Sequence, residues 1–165
     1  LLKEQLILGV YYMSFDDDMS LEDYINSLPD DVETIDILSH FRRQTLSLNA
    51  LSRFTNVREF ICTNLEWTSL PTLPNTLIIL NCSWNKLTSL PALPDTLKEL
   101  HCFRNEFDFL PVLPNTLKVL HCSVNALTSL PALPNVGSEV NKFSEQYNSC
   151  NDVFDNGGRE VNLLS

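Results

Sequence analysis

The sequence predicts an α/β fold in which short parallel strands stack into a solenoid, and two periodic features support this prediction. The motif Leu-Pro-x-Leu-Pro occurs four times at intervals of 20 residues, in residues 70–74, 90–94, 110–114 and 130–134. Between these motifs the pattern Leu-x-x-Leu-x-Cys-x-x-Asn recurs at the same 20-residue interval, from residues 77, 97 and 117. Such a period is typical of a leucine-rich-repeat solenoid, in which each repeat contributes one strand and buries its apolar side chains against the next repeat.

Each regular repeat predicts one strand, one bend and one extended return segment. We number the repeat from residues 57, 77, 97 and 117, so that apolar residues fall at positions 1, 4, 6, 11, 14 and 17 and are expected to face the core. The strands are expected on the concave side, at about residues 59–62, 79–82, 99–102 and 119–122. The Asn at position 9 is expected to bind backbone groups at the bend and to form a ladder. Two prolines per repeat prevent a helix on the convex side and favour extended, polyproline-like backbone there.

The residues before the regular repeats predict an acidic N-terminal capping region, residues 1–45, followed by a variant repeat. A short helix is expected over residues 20–28, with Ser20 as its N-cap and Asp23 returning the capping-box hydrogen bond. One strand is expected around Val32, Ile35 and Ile37. The variant repeat lacks the proline pair, and the side chains expected in its core are Leu46, Leu48, Leu51, Phe54 and Val57.

The 20-residue pattern weakens after the repeats, which we assign to residues 46–136. Residues 137–165 are predicted to form the C-terminal cap, with a degenerate, more polar repeat over residues 137–153. The triplet Asn156-Gly157-Gly158 predicts a turn, and residues 161–164 are expected to add a short strand.

Composition and charge argue against several classes of function. The chain carries 11 Lys and Arg against 21 Asp and Glu, a net charge of −10. We expect no nucleic-acid partner, because phosphate binding needs clustered cations. We expect no membrane partner either, because anionic lipid repels this charge and the apolar run at residues 6–13 is too short to span a bilayer. The acidity is concentrated in the caps: residues 1–56 carry 4 basic and 10 acidic residues and residues 137–165 carry 2 and 5, whereas residues 57–136 carry 5 and 6.

The repeat motifs resemble a known class of short leucine-rich repeats. Leu-Pro-x-Leu-Pro followed by Leu-x-x-Leu-x-hydrophobe-x-x-Asn-x-Leu-Thr-Ser is similar to the repeat of the IpaH/YopM bacterial effector families. The cysteine-containing form, as in residues 117–131, is also similar to repeat proteins encoded by large DNA viruses. The resemblance covers about residues 46–136 and implies partner binding through the repeat surface. The effectors with ubiquitin-ligase activity carry an added helical catalytic domain, and we expect none here because only 29 residues follow Val136.

Four of the five cysteines share position 6 of the repeat: Cys62, Cys82, Cys102 and Cys122. Their even spacing fits neither a disulfide framework nor the close pairs of a zinc site. We therefore expect buried, reduced thiols and a reducing compartment, the cytoplasm. The cytoplasm of a host cell and a virion are the other locations considered. Cys150 begins a Cys-x-Asp triplet similar to the nucleophile of the ligase domains, but its acidic neighbours would raise the pKa of the thiol and its repeat position is structural.

Seven residues are predicted to form the partner-binding surface: Asn81, Trp84, Glu99, His101, Phe103, Arg104 and His121. Strand alternation places His101 and His121 on neighbouring strands, facing outward, with Glu99 on the same face. Two imidazoles and a carboxylate could hold zinc, but we interpret them as a polar surface with stacked imidazoles. Trp84, Phe103 and Arg104 follow the strands, and aromatic residues beside Arg are enriched at interface hot spots.

These residues favour a non-enzymatic protein-interaction module that binds another protein through its concave surface. The alternative is a structural or assembly component, for example of a viral particle, that uses its flanks and acidic caps. We expect no enzymatic activity, catalytic residue, metal, cofactor or small-molecule substrate, because the sequence contains no nucleophile–base pair, paired carboxylates or phosphate-binding loop.

Overall fold

The central feature of the fold is a parallel sheet with one strand per repeat. The computed structural model describes residues 19–131, together with four short strand segments near the chain ends. The sheet contains β3 (Thr34–Asp36), β4 (Glu59–Ile61), β5 (Ile79–Asn81), β6 (Glu99–His101) and β7 (Val119–His121), in chain order. All four strand pairings are parallel, with Leu80 opposite Leu100 and Leu100 opposite Leu120. The predicted fold class and the four predicted repeat strands are therefore confirmed, and the sheet begins one strand earlier, within residues 1–45.

The strand segments near the chain ends form two antiparallel pairs. At the N-terminal end, β1 (Glu4–Ile7) pairs with β2 (Val10–Met13), a pairing that the sequence analysis did not include. Near the C-terminus, β8 (Val153–Phe154) pairs with β9 (Glu160–Val161). The predicted degenerate repeat lies almost entirely outside the described residues, so this part of the C-terminal cap stays a prediction.

Short strands suffice in this fold because every repeat buries side chains at fixed positions. The central residue of each strand is fully or almost fully buried: Ile35, Phe60, Leu80, Leu100 and Leu120. The flanking strand residues of the four repeats are half-buried and lie on the opposite face of the sheet, which we call the concave face. This alternation brings outward-facing side chains of neighbouring repeats together.

The predicted asparagine ladder holds the bends together. The Asn85 Oδ1 atom accepts hydrogen bonds from the backbone N–H groups of Leu65 and Trp67, both at 3.0 Å, and its Nδ2 donates to the carbonyls of Cys62 and Cys82 at 2.7 and 3.0 Å. Asn105 and Asn125 repeat both Nδ2 contacts one and two repeats later, and the Oδ1 of each accepts from one backbone N–H, that of Leu87 and that of Phe107 respectively. The amides thus satisfy backbone groups that turn away from the strand ladder.

The convex side is irregular, and residues 42–131 contain no helix. Threonine side chains fix the corner where each return segment meets the next strand. The Oγ1 atoms of Thr76, Thr96 and Thr116, at position 20, donate to the position-1 carbonyl of their own repeat, at 2.7, 2.7 and 2.8 Å. In the variant repeat one prediction was wrong: Leu48 is 67% exposed, whereas Leu51 and Phe54 are buried.

A short helix covers the first repeat, as predicted. Helix α1 (Leu21–Ser27) begins after Ser20, whose Oγ accepts from the Asp23 N–H at 3.1 Å. Instead of the expected contact with the Ser20 backbone, the Asp23 carboxylate accepts from the Ser20 hydroxyl at 2.6 Å. Arg53 donates to the carbonyls of Ile25 and Leu28 near the end of the helix and also pairs with Asp30. Tyr24 stacks on Phe41, a buried residue of a 3-10 helix (Ser39–Phe41), with ring centroids 5.2 Å apart.

Candidate partner-binding surface

The residues at position 8 of the repeat share an uncommon backbone conformation. Their φ angles are 58°, 60°, 54° and 55° for Asn64, Trp84, Arg104 and Val124. The N–H groups of the first three donate to the position-7 carbonyl of the next repeat, at 3.1, 3.0 and 2.9 Å. The bend therefore imposes the left-handed conformation in every regular repeat. Asn tolerates this conformation, whereas a bulky or β-branched residue in it is an outlier.

Trp84, Phe103 and Arg104 form one cluster, which we call the rim cluster, where strands β5 and β6 run into the bends. The guanidinium carbon of Arg104 lies 4.1 Å from the centroid of the Trp84 ring. Phe103 meets the same indole edge-on, with centroids 6.2 Å apart and an interplanar angle of 75°. Trp84 is 48% exposed, so the stacked guanidinium and the aromatic rings meet solvent together.

Glu99, His101 and His121 form a second cluster on the concave face, which we call the histidine cluster. The Nδ1 atoms of the two imidazoles are 2.9 Å apart, and the rings are nearly perpendicular with centroids at 4.5 Å. On the other side of His101, its Nε2 lies 3.5 Å from a Glu99 carboxylate oxygen. The two imidazoles are in contact, but edge-on and through a hydrogen bond and not stacked as predicted.

Asn81 occupies the concave face beside the histidine cluster. It lies directly opposite His101 in the register between β5 and β6, and opposite Ile61 on the other side. Its Oδ1 atom accepts from the Ser83 N–H at 3.3 Å. The structure therefore gathers six of the seven predicted residues into two clusters and places Asn81 next to one of them.

An ion-pair cluster around Glu66 was not predicted from the sequence. The carboxylate of Glu66 contacts Arg42 at 2.6 Å, Arg43 at 3.2 Å and Lys86 at 3.0 Å. Hydrogen bonds from Arg43 and Lys86 lower the pKa of Glu66 to about 2. The contact between Glu66 and Lys86 could have been predicted from the sequence. Lys86 follows Glu66 by one repeat, and neighbouring repeats place equivalent positions side by side.

The described cysteines are poor candidates for nucleophilic catalysis or metal binding. All four position-6 thiols are free and buried, as predicted. Burial raises the pKa of Cys82 to about 12, and it raises the pKa values of Cys62 and Cys102 well above their ordinary range. A thiol that stays protonated is neither a nucleophile nor a metal ligand. Cys150 lies outside the described residues.

The described residues hold neither a metal site nor a membrane-spanning helix. They contain no group of three or more His, Cys, Asp or Glu side chains arranged to hold a metal ion, and the histidine cluster is no exception. They also contain no helix long and apolar enough to span a membrane.

Repeat period, parallel sheet and asparagine ladder together define this chain as a leucine-rich-repeat solenoid. Among solved structures it is similar to YopM from Yersinia enterocolitica WA-314, with 26% sequence identity and a TM-score of 0.49. The match covers 69% of this chain and 20% of the YopM chain, so the chain spans about a fifth of that protein's length. No family model matches the sequence, and no curated protein does.

Proposed function

We propose that this chain is a non-enzymatic protein-interaction module that binds another protein through its concave face and the adjoining rim cluster. The observation that carries the proposal is the half-exposed Trp84, held between Arg104 and Phe103 at the edge of the sheet. Aromatic residues and Arg provide most of the binding energy at measured interfaces. Solenoids bind partners on such surfaces because many repeats present side chains side by side.

The backbone conformation at position 8 supports a role for Trp84 and Arg104 in binding, because neither residue is favoured there by folding. At the same position Asn64 fits the left-handed bend at little cost, whereas other L-residues lose about 1–2 kcal/mol there. Folding alone would favour Asn or Gly at position 8. The chain instead has Trp84, Arg104 and Val124 at this position, and two of these three residues belong to the rim cluster. Backbone strain of this kind is often found at functional sites.

The histidine cluster extends the proposed surface along the concave face. Glu99, His101 and His121 are half-buried, and their mutual contacts hold the side chains in fixed orientations. A partner that binds there would meet a preorganised polar patch and would lose little conformational entropy on the side of this chain. The four buried free thiols are consistent with the proposed location in a reducing compartment.

Affinity purification with the wild-type chain and the double variant Trp84→Ala/Arg104→Ala tests this proposal. Proteins captured by the wild type are identified by mass spectrometry, and the complex with each one is measured by calorimetry. We expect the double variant to fold and to lose at least about 2 kcal/mol of binding free energy, or about 30-fold in affinity. Val124→Ala is the matched control, because it changes the same repeat position outside the cluster. Full binding by the double variant would contradict the proposal.

A second candidate function, a structural component of a larger assembly, is favoured by one feature of the convex side. Phe109 is 58% exposed and Val112 is 87% exposed. The equivalent residues of the other regular repeats are small or polar: Ser69, Ser89 and Ser129 at position 13, and Thr72, Ala92 and Ala132 at position 16. If Phe109→Ser/Val112→Ala releases the chain from a large complex in sedimentation, and Trp84→Ala/Arg104→Ala does not, this second function is supported instead.

A further inference from the structure

Among the arginines of residues 19–131, Arg104 alone stacks on an aromatic ring without also forming an ion pair: Arg53 stacks on Phe54 but pairs with Asp30, and Arg58 does neither. Arg42 and Arg43 pair with Glu66. Arg104 stacks on Trp84, and within residues 19–131 it has no carboxylate within ion-pair distance. Stacking covers one face of the guanidinium but leaves its in-plane N–H donors available, and these match the two oxygens of a carboxylate.

From this we propose that the rim cluster is a receptor for a carboxylate side chain, Asp or Glu, that stands next to an apolar residue in a partner protein. This inference rests on the proposed function and names the chemistry of its partner. The carboxylate would accept two hydrogen bonds from the Arg104 guanidinium. The apolar neighbour would pack on the exposed part of the Trp84 indole and on Phe103.

The stacking of Arg104 on Trp84 lowers the entropic cost of binding a carboxylate. Trp84 holds the guanidinium at 4.1 Å, so the long Arg104 side chain is already ordered before a partner arrives. Arg104 is only partly exposed, and an ion pair formed in a partly desolvated site is stronger than one in open solvent. A Lys would fill this role less well, since it lacks the planar fork and the stacking face.

The net charge of the whole chain limits the range over which Arg104 can attract a carboxylate. With a net charge of −10, the chain repels acidic partners at long range. The ion pair must therefore act at short range, and its loss should raise the dissociation rate more than it lowers the association rate.

The test uses a phage-displayed library of random twelve-residue peptides, selected on the purified full chain. The best peptide is then measured against Arg104→Gln, Arg104→Lys, Trp84→Ala and the position-8 control Val124→Gln. We expect selected peptides to carry Asp or Glu beside an apolar residue. Arg104→Gln should weaken the best peptide about tenfold or more, and Arg104→Lys should weaken it less. Changing the peptide's Glu to Gln, or its Asp to Asn, should lower its affinity for the wild type by the same factor as Arg104→Gln does. The same peptide change should cause no further loss of affinity for Arg104→Gln.

Three results would overturn the inference, and they separate it from the proposed function. If Trp84→Ala weakens the peptide but Arg104→Gln does not, the surface is correct and the carboxylate chemistry is wrong. If the selected peptides lack acidic residues, the chemistry is again wrong. If the selection yields no peptide that depends on Trp84 or on Arg104, both the inference and the proposed surface fail. Melting temperatures of the variants within a few degrees of wild type show that each of them is folded.

Discussion

The imidazoles of His101 and His121 share a single hydrogen bond between their Nδ1 atoms, which are 2.9 Å apart. Only one of two such nitrogens can carry the hydrogen, because two Nδ1–H groups would face each other at this distance. The tautomers of the two rings are therefore coupled across neighbouring strands. Since the Nε2 of His101 lies 3.5 Å from Glu99, the orientation of His101 is fixed from both sides.

This coupling predicts two different tautomers for the neutral histidine pair. We expect one ring with its hydrogen on Nδ1 and the other with its hydrogen on Nε2. Long-range nitrogen–proton NMR spectra of the imidazoles distinguish these forms directly. His121→Ala is the control, because it should release His101 from the coupling. Finding the hydrogen on Nε2 in both rings of the wild type would contradict the geometry.

A second prediction concerns the left-handed conformation at position 8. Val124 has a φ of 55°, and a β-branched side chain is poorly accommodated there. We expect Val124→Asn to raise the free energy of unfolding by up to about 1 kcal/mol, because Asn adopts this conformation at lower cost. Chemical denaturation measures the change. Ala126→Asn is the control in the same bend, since Ala126 does not have a positive φ. A clear loss of stability in Val124→Asn alone would contradict the strain argument.

The regular repeats could be predicted from sequence because each structural feature recurs at one position. Leu80, Cys82 and Asn85 each have counterparts 20 and 40 residues later. The Leu and Cys counterparts face the core, and the Asn counterparts bind backbone groups at the bends, as expected. The variant repeat was harder, since β3 and β4 are 25 residues apart and the extra residues shift Leu48 onto the surface.

The contacts between side chains were harder to predict from the sequence than the repeats were. The left-handed bend is visible in the sequence only at Asn64, because Trp84, Arg104 and Val124 are not residues that normally indicate it. Without that conformation, the direction of the Trp84 side chain cannot be derived. The sequence could therefore place Trp84 and Arg104 near each other, but it could not predict that they stack.

The asparagine ladder gives a third prediction. In Asn85→Asp the Nδ2 donor becomes an oxygen, and this oxygen faces the carbonyls of Cys62 and Cys82, which Asn85 now binds at 2.7 and 3.0 Å. An unsatisfied buried group costs about 1–3 kcal/mol, so we expect a loss of at least about 2 kcal/mol in the free energy of unfolding. Asn64→Asp, an exposed change in the neighbouring repeat, should have little effect. Equal stabilities of the two variants would rule out a structural role for the ladder.

A fourth prediction concerns the core of a central repeat. Leu100 is completely buried in β6, between Leu80 and Leu120. Leu100→Ala should lower the free energy of unfolding by about 2–5 kcal/mol, because each repeat contacts only its neighbours and cannot fill the cavity. Val112→Ala removes atoms from a side chain that is 87% exposed, and it should change stability by no more than about 0.5 kcal/mol. Thermal melts of the two variants check this difference.

The last prediction concerns acid stability and the Glu66 cluster. Hydrogen bonds from Arg43 and Lys86 lower the pKa of Glu66 from an ordinary value of 4.5 to about 2. Between these two values the unfolded chain binds a proton at Glu66 and the folded chain does not, so the stability due to Glu66 falls as the pH falls through this range. Above pH 4.5 that contribution is fully present, and below pH 2 it is absent.

We therefore expect the wild type to be more stable than Glu66→Gln at pH 6, and the difference to disappear between about pH 4.5 and pH 2. Melting temperatures of both proteins across this range measure it, and the other carboxyl groups cancel because both chains contain them. Glu106→Gln controls for the loss of one negative charge, since Glu106 occupies the same repeat position and has no ion pair within residues 19–131. A difference between wild type and Glu66→Gln that stays constant from pH 6 to pH 2 would show that Arg43 and Lys86 do not stabilise the charged form of Glu66.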